Sequence, residues 1–319
     1  MKDKSLSLRA AWYTYGAGLK QNQVADLLQE SRPKVNRMLT AARNSGFISY
    51  SVEGDPQHLL ELEASLMQRY CLKSCFITRS PDPGESLCEL GGQAVIEAGV
   101  HQFQTLMSKL AIQTVGLGKG RTIRELSKRL SLPYNDDYTW VALQGCLGIS
   151  HETNPFDIIE DLCDSLGGEG YLLPLAAIAR SAHEAKLALQ RHGISDVLHM
   201  AKSAKLKVLG VGAINNTPHL SEIFGLEPHE ITLLKHAGAV GDILGNFIDK
   251  EGQIIVSADC PTALAIPLSE LSSHRSLVIA GGLQKTEVLR ASLKGGYITD
   301  LVTDIESAEH ILNGDNSEN

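Results

Sequence analysis

Apolar residues return at three- and four-residue steps in three stretches of the first fifty positions. Leu6, Leu8, Ala11, Trp12 and Tyr15 predict a first helix over 5–15, closed by Gly16 and Gly18. Val24, Leu27 and Leu28 predict a second helix over 20–28. Ser31 offers a hydroxyl to the orphan amides of a third helix, and Pro33 sits in its first turn, where a missing N–H costs nothing. In that helix Val35, Met38, Leu39 and Ala42 should face inward, leaving Arg32, Lys34, Asn36, Arg37 and Thr40 outside. Gly46 stops it, and the period changes from helical to alternating across 47–52, as in a strand. Three short helices and a strand predict a winged helix-turn-helix over residues 1–55.

Residues 56–71 carry Leu59, Leu62, Leu66 and Tyr70 on one stripe and predict a linker helix. It could pack against the head, on its own body, or against its twin in a second copy, and two heptads are too few to decide. Over 72–319, Val-, Ile- and Leu-rich runs at 74–78, 111–117, 138–145, 170–175, 207–212, 276–282 and 298–304 predict strands. Helical stretches at 85–109, 122–131, 156–166, 182–192, 194–203, 286–294 and 305–312 lie between them. Such alternation predicts an α/β domain with a largely parallel sheet covered on both faces, whose ligands bind where the strands' carboxyl ends release their loops.

Charge divides the chain in the same place. Residues 1–50 hold eight Lys and Arg against three Asp and Glu, a net of +5, while the remainder nets −13 and the whole −8. A basic head on an acidic body suggests a polyanionic partner for the head alone. No run of about 18 apolar residues exists, so no transmembrane helix is expected, and the N-terminus lacks a signal peptide's apolar core. That reads as a cytoplasmic chain without a membrane partner. Six scattered cysteines form no CxxC pair, and the His-Glu pairs at 151, 183 and 229 never extend to HExxH. Neither a metal nor a cofactor is expected.

The candidate chemistry follows from these placements. In a helix-turn-helix the second helix of the pair enters the major groove. Ser31, Arg32, Pro33, Lys34, Asn36, Arg37 and Thr40 would then stand at base edges or backbone, Arg and Lys suiting guanine and Asn adenine. Lys20, Gln21 and Arg43 would hold phosphates. In the body, Gly118-Lys119-Gly120-Arg121-Thr122 follows a strand and opens a helix, a cradle for an anion or hydroxyls that is neither GxGxxG nor a Walker A sequence. Asp242 ends a small-residue turn, Lys285 follows a strand-end glycine pair, and Gln144, Asn154 and Gly212 end or follow other strands. These loops supply amides, one acid and cations, with no hydrophobic slot, which suits a sugar, polyol or sugar phosphate.

The segments QNQVADLLQESRPKVNRMLTAARNSGFI, VGLGKGRTIRELSKRL, LKHAGAVGDILGNFIDKEGQ and VIAGGLQKTEVLRASLKGGYITDLVTD, in this order, resemble the SorC/DeoR-type sugar-binding transcriptional regulators of bacteria. The resemblance covers nearly the whole chain. It implies a Rossmann-like three-layer αβα effector domain similar to sugar-phosphate isomerase and deaminase folds. It further implies homo-oligomers, often tetramers, on palindromic double-stranded operators, acting there as repressor or activator. By the resemblance Gly118 to Thr122 form the first effector loop, Gln144 and Asn154 lie on the second strand's side, Asp242 reads hydroxyls and Lys285 meets a phosphate or terminal oxygen. Many relatives carry Arg-x-Gly upstream of the GAVGD-like turn, whereas this chain reads Ser221-Glu222-Ile223-Phe224-Gly225. Gln144 also stands where some phosphate-binding members use arginine. The departures imply a free or singly phosphorylated effector.

The expected function is therefore a regulator of a carbohydrate or polyol catabolic operon, not an enzyme. The alternative is a sugar-phosphate isomerase or deaminase with an accessory DNA-binding head. It would need an acid/base pair, for which Asp242 and His236 are the nearest candidates.

Overall fold

The computed structural model describes residues 2–44, 56–82, 84, 91–145, 155–215, 217–256 and 260–314. The chain divides into two compact units, 1–56 and 57–319, each taken by itself below. The wing anticipated at 47–52, Asn154, and the side chains of Thr40 and Arg43 lie outside the described residues.

In the smaller unit α1 (Lys2–Ala11) runs into a π-helical turn, Trp12–Gly16, followed by α2 (Gln21–Leu28) and α3 (Arg32–Asn44). Ala10, Ala11, Val24, Val35, Met38, Leu39 and Ala42 form one buried cluster, which is the inward stripe expected of α3 together with its partners. Lys20 and Gln23 close the start of α2, the Lys20 N–H donating to Gln23 Oε1 at 2.9 Å. Gln29 ends that helix in the left-handed region, φ 52°, which sets up the tight turn into α3.

The larger unit opens with α4 (Pro56–Tyr70), whose Leu62 and Leu66 are buried in the unit's own core. After it come β1 (Ser74–Thr78), α5 (Gly92–Leu110), β2 (Thr114–Leu117), α6 (Arg121–Ser127), β3 (Thr139–Ala142), α7 (Pro155–Leu166) and β4 (Glu169–Tyr171). The chain continues through β5 (Ile178–Ala179), α8 (Ala182–Leu189), α9 (Ile194–Ser203), β6 (Leu206–Leu209), β7 (Gly212–Ala213), α10 (Thr217–Phe224) and α11 (Pro228–His236). It ends with β8 (Gly241–Ile243), β9 (Asn246–Ile248), β10 (Thr262–Ala263), β11 (Arg275–Ile279), α12 (Thr286–Lys294), β12 (Asp300–Asp304) and α13 (Ile305–Gly314).

Seven strands form one sheet in the order β1-β12-β11-β6-β2-β3-β4, every pairing parallel. Two separate buried clusters serve it. One gathers Leu66, Ile77, Val141, Leu209, Val278 and Leu301, the other Phe103, Val115, Trp140, Val208 and Val302. Alternate residues of the same strands, such as Val141 and Trp140, enter different clusters, because successive side chains of a strand point to opposite faces. The sheet thus lies between two helical layers, the three-layer αβα arrangement. From β2 the chain moves outward to β3 and β4, then returns to β6 on the other side of β2. The order therefore reverses between β2 and β6, where a crevice opens at the carboxyl ends. A three-stranded antiparallel sheet, β7-β8-β9, stands beside it.

Candidate functional site

The crevice between β2 and β6 is a cavity bordered by four loops: 119–122 after β2, Gln144 after β3, 210–213 after β6 and 284–285 after β11. Asp242 and Leu244 close it from β8 and its turn, and Ile223 and Phe224 from the end of α10. Of the effector residues named from sequence it brings together Lys119, Gly120, Arg121, Thr122, Gln144, Gly212, Asp242 and Lys285. Gly118 does not line it. A Cβ there would come within 2.9 Å of Leu209 Cβ, so this glycine serves the close approach of β2 and β6. Gly120 turns the chain into α6 with φ +124°, a conformation costly for any side-chain-bearing residue.

Asp242 is the centre of the site. It lies in β8, and the β8–β9 turn has positive φ at both Leu244 (52°) and Gly245 (77°), as in the tight hairpin turns that suit strand twist. The Gly245 N–H donates to Asp242 Oδ2 at 3.0 Å, fastening that turn. Oδ1 is buried with no hydrogen-bond partner among the described residues. Burial pushes the carboxyl up to about 7, against the opposing pull of the Gly245 amide and the Lys119 charge. One oxygen therefore holds the fold, and the other is left for a donor.

Lys119 is engaged on the opposite wall. Its Nζ donates to the Ile223 carbonyl at 3.4 Å and stands 5.3 Å from the centroid of the Phe224 ring. Phe224 in turn meets Phe247 edge-on at 5.8 Å. The cavity thus has an apolar wall of Ile223, Phe224, Leu244 and Val211, which corrects the expectation of no hydrophobic slot. The stretch 221–225, where the resemblance expected an arginine, supplies that wall. Thr122 and Gln144 are buried, while Arg121 is exposed at the start of α6.

The turn carrying Gln284 and Lys285 is pinned from below by Asp304. This fully buried carboxylate accepts from the Gly282 N–H at 2.6 Å, the Ser307 N–H at 2.9 Å and the Ser307 hydroxyl at 2.9 Å. His236, the proposed acid/base companion of Asp242, is exposed at the end of α11 and does not line the cavity. Among the described residues no three His, Cys, Asp or Glu gather as metal ligands, and no helix is long and apolar enough to cross a membrane.

In the smaller unit Arg32, Pro33, Asn36 and Arg37 are exposed on α3, with Ser31 exposed just before it. Lys34 is half-buried and ion-paired with Glu30 at 2.7 Å. Lys20 precedes α2 and Gln21 begins it. Sequence reasoning missed Val211, Ala213, Ile223, Phe224, Leu244 and Gln284 as cavity residues. The one signal that pointed toward them was the departure from Arg-x-Gly at 221–225.

Residues 55–313 match the model of the sugar-binding domain family, Sugar-bind. The chain belongs to this SorC/DeoR-type family. Among curated relatives of the family, the erythritol catabolism regulatory protein EryD of Brucella abortus is 29% identical over 310 residues, spanning 97% of each chain. The transcriptional regulator LsrR of Escherichia coli K12 is 29% identical over 310 residues, 95% of this chain and 93% of that one. The crystal structure of the full-length sorbitol operon regulator SorC from Klebsiella pneumoniae superposes with a TM-score of 0.66 at 22% identity, covering 98% of this chain and all of that one. A DeoR family transcriptional regulator from Listeria monocytogenes gives 0.66 at 23%, covering 79% and 99%. At these identities the solved structures establish the fold alone: a small helical unit at the N-terminus and a three-layer αβα unit after it.

Proposed function

We propose that this chain regulates a carbohydrate or polyol catabolic operon, holding operator DNA with the exposed face of α3 and answering to a small effector in the β2/β6 cavity. The observation that carries the effector half is Asp242: a buried carboxylate with one committed oxygen and one orphaned one, on a rim of Thr122, Gln144, Lys119, Arg121 and Lys285. A buried acceptor without a partner is costly, and vicinal hydroxyls are the donors that satisfy it. The Phe224 wall suits the carbon face of a small polyol or sugar, and Lys285 or Arg121 a single phosphate. The relatives' names, erythritol catabolism and sorbitol operon, put tetritols, hexitols and their monophosphates first in a screen.

The chemistry in the cavity suits sensing better than turnover. One carboxylate and no imidazole line it among the described residues, whereas isomerisation or deamination needs a positioned pair. The chain acts in the cytoplasm as an oligomer on this reading, with no catalytic role.

Thermal denaturation of the full-length chain with these compounds tests the proposal. A ligand at a hundred times its Kd adds about 2.7 kcal/mol to the stability of the folded state. Stabilisation by a polyol or its monophosphate, lost in Asp242→Asn, is the expected result. No response to any carbohydrate, or an undiminished response in the variant, would remove the assignment.

A further inference from the structure

Asp242 Oδ1 is out of water and accepts no hydrogen bond among the described residues, while Oδ2 is taken by the Gly245 N–H at 3.0 Å. A buried acceptor left empty is costly, and two events relieve it. The oxygen can take up a proton, or it can accept hydrogen bonds from a molecule in the cavity. The two exclude each other, because a protonated carboxyl oxygen donates and accepts only poorly. We infer that effector and proton compete for Asp242 Oδ1, so that effector binding expels a proton and weakens as the medium turns acid. The inference rests on the effector reading above and adds a regulation of that same site by pH.

The surroundings leave the exchanged proton one seat. The charged groups facing the carboxyl are Lys119 and Arg121 on the loop after β2 and Lys285 on the turn before α12. The other elements against it bring uncharged residues: Gly212 of β7 and Phe247 of β9 pair with it, α10 brings Phe224, and α12 packs on β8 through Val288. Neither a histidine nor a second carboxyl borders the cavity among the described residues.

The sign follows from what a ligand adds. Burial already holds the carboxyl at about 7, against the pull of the Gly245 amide and the Lys119 charge. Since Oδ1 is dry beforehand, an entering polyol removes little further water from it and supplies donors, which favours the ionised form. Hydrogen bonds to a charged acceptor are also about twice as strong as those to a neutral one. A neutral polyol that binds the ionised form alone loses about tenfold in affinity from pH 8 to pH 6 and about ninetyfold from pH 8 to pH 5, and levels off above pH 8.

Calorimetric titration of the full-length chain with erythritol and with sorbitol, both neutral, tests this from pH 5 to pH 8. Two buffers of unlike ionisation enthalpy give the proton count together with the affinity. Kd should fall as pH rises, with about one proton released per site at pH 5 and almost none at pH 8. Where only a monophosphate binds, its own ionisation near pH ~6 is followed by its 31P shift and subtracted. A Kd independent of pH, with no proton exchanged, would overturn the inference and leave the effector reading standing. So would proton uptake with affinity rising in acid, because Oδ1 would then keep its proton and donate it to the ligand. Failure of the polyols and their monophosphates to bind at any pH removes the effector reading, and the inference with it. Lys119→Met identifies the group: without the cation that favours ionised Asp242, the midpoint of the Kd–pH curve should move to higher pH. An unmoved midpoint in the folded variant would assign the proton elsewhere and refute the inference.

Discussion

Replacing Asp242 by Asn removes a charge and almost no volume. The carboxyl, ordinarily near 3.8, is held at about 7 by burial. At about 1.36 kcal/mol for each pH unit separating those two values, keeping it ionised in the folded chain above pH 7 costs roughly 4 kcal/mol. The sign follows from proton counting. Between pH 3.8 and 7 the folded chain holds a proton that the unfolded chain has released, so this group's contribution to stability falls as pH rises through that window and is level above it. Asparagine keeps an oxygen for the Gly245 N–H and has no such slope. Parent and variant should be equally stable near pH 4, and the variant more stable at pH 8 by up to roughly 4 kcal/mol. Urea unfolding of the body at a series of pH values, followed by emission of the buried Trp140 in a Trp12→Phe background, measures the difference. Other groups titrate equally in both proteins and cancel. A variant no more stable relative to its parent at pH 8 than at pH 4 would refute the reasoning. The same substitution should abolish effector binding, so that stability and function move in opposite directions at one atom.

Two further outcomes follow. Arg37→Ala should weaken specific operator binding by about 1–3 kcal/mol if its guanidinium contacts a base edge, read by gel-shift titration at fixed salt; unchanged affinity would remove Arg37 from the reading face. Asp304→Ala strips the partner from the Gly282 N–H, the Ser307 N–H and the Ser307 hydroxyl in a dry environment and should lower stability by about 2–5 kcal/mol. A midpoint within error of the parent's in urea would show that these donors find other partners.

Much of this architecture was legible because period and burial agree. Val35, Met38, Leu39 and Ala42 are buried as their spacing required, and the seven anticipated strand runs contain the seven strands of the sheet except for single residues at their ends. The linker stripe was ambiguous because an apolar seam looks alike whatever covers it; Leu62 and Leu66 are covered by the chain's own body. The segment 214–248 was harder. Helices α10 and α11 are short, and β8–β9 contains Leu244 at φ 52°, where leucine is unusual, so nothing local announced a hairpin. Asp242 was recognisable as an acid near a turn, yet its double duty depends on the Gly245 amide lying within reach. Phe224 could not be singled out, since an aromatic on a cavity wall obeys the same spacing as one in a core.

The grip of Asp304 has a mechanical side. One rigid carboxylate clasps the Gly282 amide with the oxygen that also takes the Ser307 hydroxyl, and caps α13 through the other. The turn that presents Lys285 and the start of α13 are therefore one piece and cannot shift separately. Farther along α13, Glu309 meets His58 Nε2 at 2.8 Å, within the first turn of α4. The turn that presents Lys285 is thus joined, through the Asp304 clasp, α13 and the His58–Glu309 pair, to the first turn of α4.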